Sequence, residues 1–437
     1  MHLVWENVIK NLVALWTGQY RELDSGREDY ELSPETWKII GEATAASGST
    51  IPSAYGPRPP NIDTDKQACT ADSWSFWTLY IAPVVLRGRF RHEKYYKHFI
   101  KLVKILHVCL QFEMTRSEVA DVRRGLAEWV EEYEKIYYQN TPSRLAACPL
   151  TIHALLHVAD SIEAAGPVWA SWAFPMERYC GMLKPAIRSR RFPYTTLAHY
   201  VLDTARLLQV KLVYDAADVL SLRRPMQDMS TTFPEYQMCA LLPPSRKAVT
   251  LDKAVHDKII SHLSTRFEAP VRDVRAMLRP ETITQWGKLQ ILGGGDLVRS
   301  TTLGGIREDS RNASYVRYES LVDKFSGQRN RPSVFELRTF YGELQHIVSL
   351  DVQVTDTAGA RRVETLILAG IRTCKLDDRP SPGGLDIHYY TTTGRYEVVD
   401  INNIQCLVGR IHDRGQWAIV DRSGSLARAI YVEEDIN

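Results

Sequence analysis

Apolar residues recur with two different periods along the chain. Leu3, Val4, Val8, Ile9, Leu12, Val13 and Trp16 fall at helical spacing, so the chain is expected to open on a helix with no capping residue before it. Residues 74–87 and 94–112 carry the same period. Thr115-Arg116-Ser117-Glu118 reads as a capping box, in which a hydroxyl and a carboxylate satisfy free amides reciprocally. Val119, Val122, Leu126, Trp129, Val130, Tyr133 and Ile136 then trace one face down to about Asn140, while Glu128, Glu131, Glu132 and Glu134 form a solvated face. Pro149 is predicted to open a further helix that ends at Gly166-Pro167. Phe174-Pro175 opens another, Tyr194–Val213 forms one more, and shorter helices are predicted near 247–263 and 266–279.

The period shortens after about residue 285. Phe340–Val354, Val363–Ile371, Asp386–Thr391, Tyr396–Val399, Cys406–Ile411 and Trp417–Val420 are short and rich in Val, Ile and Tyr. Turns at Asp356-Thr357-Ala358-Gly359 and Asp413-Arg414-Gly415 separate them. The expected fold class is α+β, with a mainly helical region over 1–285 and a small SH3-like β-barrel over 286–437. Gly293-Gly294-Gly295 lacks the lysine and hydroxyl of a phosphate loop and is expected to be an interdomain hinge. Between the helical stretches, residues 42–68 change character, and Gly48-Ser49-Thr50 and Gly56-Pro57-Arg58-Pro59-Pro60 cannot continue a helix. The stretch reads as an extended arm along a partner or as a surface connector, and the connector is favoured.

Composition narrows the class. A hydrophobic fraction of 44% and a charged fraction of 24% are ordinary for a folded protein. A net charge of +2 confines any nucleic-acid surface to a local patch. Seven scattered cysteines without a CxxC pair fit a reducing compartment and argue against a zinc ribbon. No apolar run approaches the roughly 20 residues of a membrane span, and no leader with a cleavage site is expected.

Three groups of residues invite chemistry. His153 and His157 share a helix face, a spacing that can hold zinc, with Asp160 three residues further on. Ile152, Leu155, Leu156 and Val158 around them favour buried, hydrogen-bonded histidines instead. Tyr389, Tyr390, Tyr396 and Trp417 would form an aromatic cage if the β region acts as a chromatin or protein-interaction module; core packing is the commoner fate of such rings. The richest stretch is Gly166–Arg191. Glu177 starts a helix, and Arg178, Lys184, Arg188, Arg190 and Arg191 follow. From Phe174 to Arg224 there are nine Lys/Arg against four Asp/Glu. A carboxylate beside a basic strip suits metal-assisted chemistry on phosphates, although composition alone favours a first-turn Glu paired with an Arg.

The run from His153 through Gly166-Pro167 to Phe174-Pro175-Met176-Glu177-Arg178-Tyr179-Cys180-Gly181 resembles the H-x-x-x-H…GP…(F/W)-P-x-E-R-x-N-G signature of En/Spm-type (CACTA) transposases of fungal genomes. Met1-His2-Leu3-Val4-Trp5-Glu6 resembles the D-x-M-H block of that family, and Ile51–Ile62 and Trp74–Leu79 resemble further blocks, so the likeness covers residues 1–220. It implies descent from an RNase H-like DDE transposase with a helical insertion, a nuclear location, DNA and transposase or chromatin partners, and magnesium or manganese held by three acids. Glu177 matches the last of those acids, and Arg178, Lys184, Arg188, Arg190 and Arg191 become the expected DNA contacts. The second acid would stand two residues before Met1, outside the chain; the first is absent too. Cys180 replaces the usual Asn, and Pro185 interrupts the helix. The expectation is a truncated transposase that cannot transfer strands alone, because one carboxylate cannot fix a metal pair about 3.5–4 Å apart. An active nuclease enlisting Asp63, Asp65 or Asp160 is the enzymatic alternative, with no spacing to recommend it.

Overall fold

The computed structural model describes residues 2–20, 23, 28–217, 219–220, 230–305, 310–325, 331–332, 334–355, 361–378 and 384–422. The predicted turn at 356–359 lies outside them.

The chain opens with a wide helical turn, His2–Val8, that runs into α1 (Ile9–Trp16). Val8, Ile9, Leu12, Val13, Leu15 and Trp16 are fully buried, so this segment is the centre of the helical core. Pro34–Ser47 forms α2, capped by the Ser33 hydroxyl and started by Pro34. The periodic stretch after residue 70 divides into α3 (Ala71–Phe76), a wide turn and α4 (Ala82–Val85). α5 (Glu93–Cys109) and α6 (Arg116–Tyr133) pack together. The capping box forms as expected: the Glu118 amide donates to the Thr115 hydroxyl at 3.2 Å, and the Thr115 amide donates to the Glu118 carboxylate at 2.7 Å. The His98 ring stacks on Trp129 with centroids 4.5 Å apart, and the indole N–H returns to the His98 carbonyl. α7 (Leu150–Ala154), α8 (Val158–Ala165) and the tight turn between them bury Ile152, Leu155, Ala159 and Ile162. α9 (Phe174–Leu183) and α10 (Pro193–Val213) contribute no buried residue at all.

The second part is a curled antiparallel sheet, a half-barrel. Its strands are β1 (Cys239–Lys247), β2 (Thr284–Ile291), β3 (Leu297–Arg299), β4 (Tyr315–Asp323), β5 (Phe335–Thr355), β6 (Arg361–Leu376), β7 (His388–Asp400), β8 (Ile404–Leu407), β9 (Gly409–Asp413) and β10 (Gln416–Val420). The order is β1-β2-β5-β6-β7-β10-β9, with β3 on β2 and β4 bridging β5 and β8. The helices α11 (Lys253–Arg266) and α12 (Val271–Met277) pack Val255, Ile259, Ile260, Leu263 and Val274 against Val348, Leu350, Leu366 and Leu368 of the sheet. The sheet therefore begins at Cys239, ahead of the expected boundary at residue 285, which falls inside β2. Two predicted strands, 386–391 and 396–399, are one continuous β7.

The triple glycine is not a hinge. It makes the turn between β2 and β3, with Gly293 at φ 72° and Gly294 at φ 83° and the Ile291 amide closing on the Asp296 carbonyl at 3.0 Å. Arg414-Gly415, by contrast, is the expected tight turn: both residues have positive φ, and Asp413 pairs with Gln416 across it.

Residues 42–47 of the 42–68 stretch continue α2, and the chain that follows them is neither a partner arm nor a surface connector. Ile51 and Tyr55 are buried. The Tyr55 hydroxyl lies 3.0 Å from the carbonyls of both Leu407 and Val420. The buried Arg311 guanidinium donates to the carbonyls of Ile51, Pro52 and Gly56 at 2.9, 3.0 and 2.7 Å. Between Ile51 and Gly56 only the tight turn Ser53–Tyr55 interrupts this irregular chain, so carbonyl lone pairs remain available and the sheet region supplies the donors. Leu385, Tyr389, Ile411, Ala418 and Val420 join the helical core, while the rest of the sheet packs in apolar clusters of its own. Among the described residues, no helix is long and apolar enough to cross a membrane.

Candidate functional site

α9 starts where Pro175, with no amide to satisfy, occupies the first turn. Glu177 lies in that turn, where the free N–H groups favour a carboxylate. Its side chain is half exposed, and its Oε1 lies 3.5 Å from Nε2 of His2. The other nitrogen of that ring, Nδ1, lies 2.6 Å from Oε2 of Glu6. His2 therefore bridges two carboxylates, one from each end of the helical region. The hydrogen bond from His2 holds the Glu6 carboxyl below its ordinary range. α9 stops at Leu183, and Pro185 sits in the tight turn Lys184–Ala186 that follows.

Arg178 in α9 and Lys184, Arg188, Arg190 and Arg191 along the turn and the approach to α10 are all exposed. None of the five is held in an ion pair among the described residues. The Arg191 guanidinium rests over the Phe192 ring, 5.3 Å from its centroid. The segment is anchored from behind, where the Trp169 indole donates to the Phe112 carbonyl at 2.9 Å. The strip can attract phosphates. Among the described residues, no group of three or more His, Cys, Asp or Glu side chains is placed to hold a metal ion.

His153 and His157 correct the expectation of burial. The helix turn sends Ile152, Leu155 and Ala159 inward and leaves both histidines exposed. Their Nε2 atoms lie 3.3 Å apart, a hydrogen-bond distance, and His157 Nδ1 lies 3.4 Å from Asp160. Two nitrogens are half of a tetrahedral zinc site. Asp160 is engaged by Arg123, whose hydrogen bond lowers the carboxyl's pKa. Asp63 and Asp65 are exposed on the segment after Asn61 and meet neither Glu177 nor each other in a ligand cluster among the described residues.

The aromatic cage is divided and partly filled. Tyr389 packs into the helical core beneath the Arg87 guanidinium, and Tyr396 lies on the α11 side beside His346. Tyr390 and Trp417 do meet, as a cross-strand pair with stacked rings. The space beside them holds Arg410. Its guanidinium carbon lies 3.3 Å from the Tyr315 centroid and 4.5 Å from that of Trp417, and it donates to the Tyr390 hydroxyl at 3.0 Å. Arg410 is buried, so the chain's own cation occupies the cage. Sequence reasoning missed Arg410 and Arg311, because their partners are remote in sequence and neither sits in a recognisable pattern.

No protein-family model, no curated protein and no solved structure matches this chain.

Proposed function

We propose that this chain is a nuclear DNA-binding protein of transposase descent that does not transfer strands by itself. The carrying observation is the contact between His2 and Glu177. These residues belong to the two blocks through which the sequence resembles the En/Spm-type family, and in that family the two blocks serve one site. The five cations after Glu177 support the binding half of the reading. They are exposed and free of acidic partners among the described residues, so meeting a phosphate breaks no existing ion pair. DNA binding then draws its free energy from release of counterions condensed on the duplex, a term that needs no base contact. Glu177 is the one family acid matched by the sequence. A single acid does not fit a metal pair, so no catalytic step is assigned to magnesium or manganese.

The test is a titration of duplex DNA with the whole chain at several salt concentrations. Affinity should fall linearly with salt on logarithmic axes. Replacing Arg188, Arg190 and Arg191 together by Ala should reduce the slope by up to about 2.7, at roughly 0.9 for each phosphate that is no longer neutralised. Binding that ignores salt, or a slope unchanged in the triple variant, would sink the DNA-binding reading. Magnesium-dependent cleavage that disappears in Glu177→Ala would sink the claim of inactivity.

A further inference from the structure

The helix α10 spans 21 residues, about 31 Å at 1.5 Å per residue, and none of them is buried. Tyr194, Ala198, Val201, Ala205, Leu208 and Leu212 recur along it at alternating intervals of four and three. That is the seam of a two-stranded coiled coil, with no charged residue in it. All six stand clear of the core: Tyr194 is exposed by 85%, Val201 by 38%, Leu208 by 58% and Leu212 by 67%. His199, Asp203 and Arg206 lie on the opposite face, which is the solvated side of such a helix.

We propose that α10 pairs in antiparallel fashion with α10 of a second copy of this chain. The seam is complementary to itself in that direction. In antiparallel register, with the two-fold axis at the level of residue 203, Ala198 faces Leu208 of the other copy, Ala205 faces Val201, and Tyr194 faces Leu212. Each small residue meets a larger one, so the helices approach closely and leave no void. A parallel pair would set alanine against alanine and tyrosine against tyrosine, wasting the fit. Leu202 lies near its own copy at the axis, and Leu197 flanks the seam, widening the apolar strip. No charged residue lies in the seam to oppose association. Pairing along this length buries roughly 600–800 Å² per copy, the scale of a standard stable interface. The inference does not depend on DNA binding.

The experiment is sedimentation of the whole chain across a wide range of concentration. The expected species is a dimer of twice the 49.8 kDa chain mass. Val201→Lys and Ala205→Lys, both at sites outside the core, should give monomers with an unchanged circular dichroism spectrum. Orientation is read in a Cys180→Ser background. Ala198→Cys chains mixed with Leu208→Cys chains should form a mixed disulfide on oxidation, and Ala198→Cys alone should not link to itself. A monomer at every concentration overturns the proposal and leaves α10 to a different protein. A dimer indifferent to the two lysines overturns it by putting the interface elsewhere, and self-linked Ala198→Cys overturns the antiparallel pairing.

Discussion

Arg311 donates its Nε hydrogen to the main-chain carbonyl of Ile51 at 2.9 Å, joining the strand-rich half of the molecule to an irregular segment of the helical half. The two remaining arms of the guanidinium hold Pro52 and Gly56. Lysine offers the same charge without the planar fork. Arg311→Ala should destabilise the fold by about 3–5 kcal/mol, since three carbonyls lose a charged donor inside the protein. Arg311→Lys should recover only a minor part of that. Urea unfolding of the three proteins decides it, and equal midpoints for wild type and Arg311→Lys would show that charge alone is enough.

Arg410 is a different kind of buried cation. No carboxylate pairs with it among the described residues, and its Nε has no hydrogen-bond partner. Two rings and one hydroxyl compensate for lost water only in part. Arg410→Met should therefore change stability by less than about 1.5 kcal/mol in either direction, because the long apolar chain refills the cage. Arg410→Ala should cost about 2–4 kcal/mol through the cavity it leaves between Tyr315 and Trp417. Thermal unfolding of both variants checks the order. Met proving worse than Ala would mean that the charge itself holds the strands.

Burial depresses His98 and His107 from the ordinary 6.5 to about 4. Both are neutral in the fold and protonate readily once unfolded. The unfolded chain therefore binds more protons between those values, and stability must fall as pH drops from 6.5 towards 4 and level off below. His98 alone, stacked on Trp129, accounts for roughly 3 kcal/mol of that loss. Melting temperatures measured from neutral to acid pH should decline steeply for the wild type. The double variant His98→Gln/His107→Gln should be less stable at neutral pH and visibly flatter in its pH dependence. Parallel curves would assign acid lability to other groups.

Glu177 and the basic strip should separate functionally. The carboxylate lies at the start of α9 against His2, and a carboxylate repels phosphate. Glu177→Ala should leave the salt slope of DNA binding unchanged and the affinity equal or slightly tighter. A marked loss of affinity would mean that Glu177 orders the strip, and circular dichroism would then report a shorter helix.

Much of the helical part could be read from residue order alone. Helical period, a capping box and prolines at first turns act over three or four residues, so α5, α6 and α10 are legible locally. The strands from β5 to β10 were legible as apolar, β-branched runs between turns, except that Cys406–Ile411, expected as one strand, is divided between β8 and β9. β1 was not, because Pro243 and Pro244 break its pairing register and mask the pattern. β4 was not either, since its pattern is interrupted by Arg317, Glu319 and Asp323.

What residue order determined, then, was the set of elements, the apolar face of each and the location of the Glu177 strip. It could not determine which of these would end up buried. His153 and His157 sit among apolar neighbours yet face solvent, because the phase of the helix against the core decides burial. α10 is as apolar as a core helix and stands uncovered. The Gly48–Pro60 segment resembles a linker and is the joint of the molecule, because donors more than 250 residues later in the chain, on Arg311, satisfy it. The rings of a candidate aromatic cage are rich in the sequence, and Arg410 fills the space beside them. Each of these outcomes depends on side chains remote in sequence competing for the same space and the same hydrogen bonds, and only the tertiary structure settles that competition.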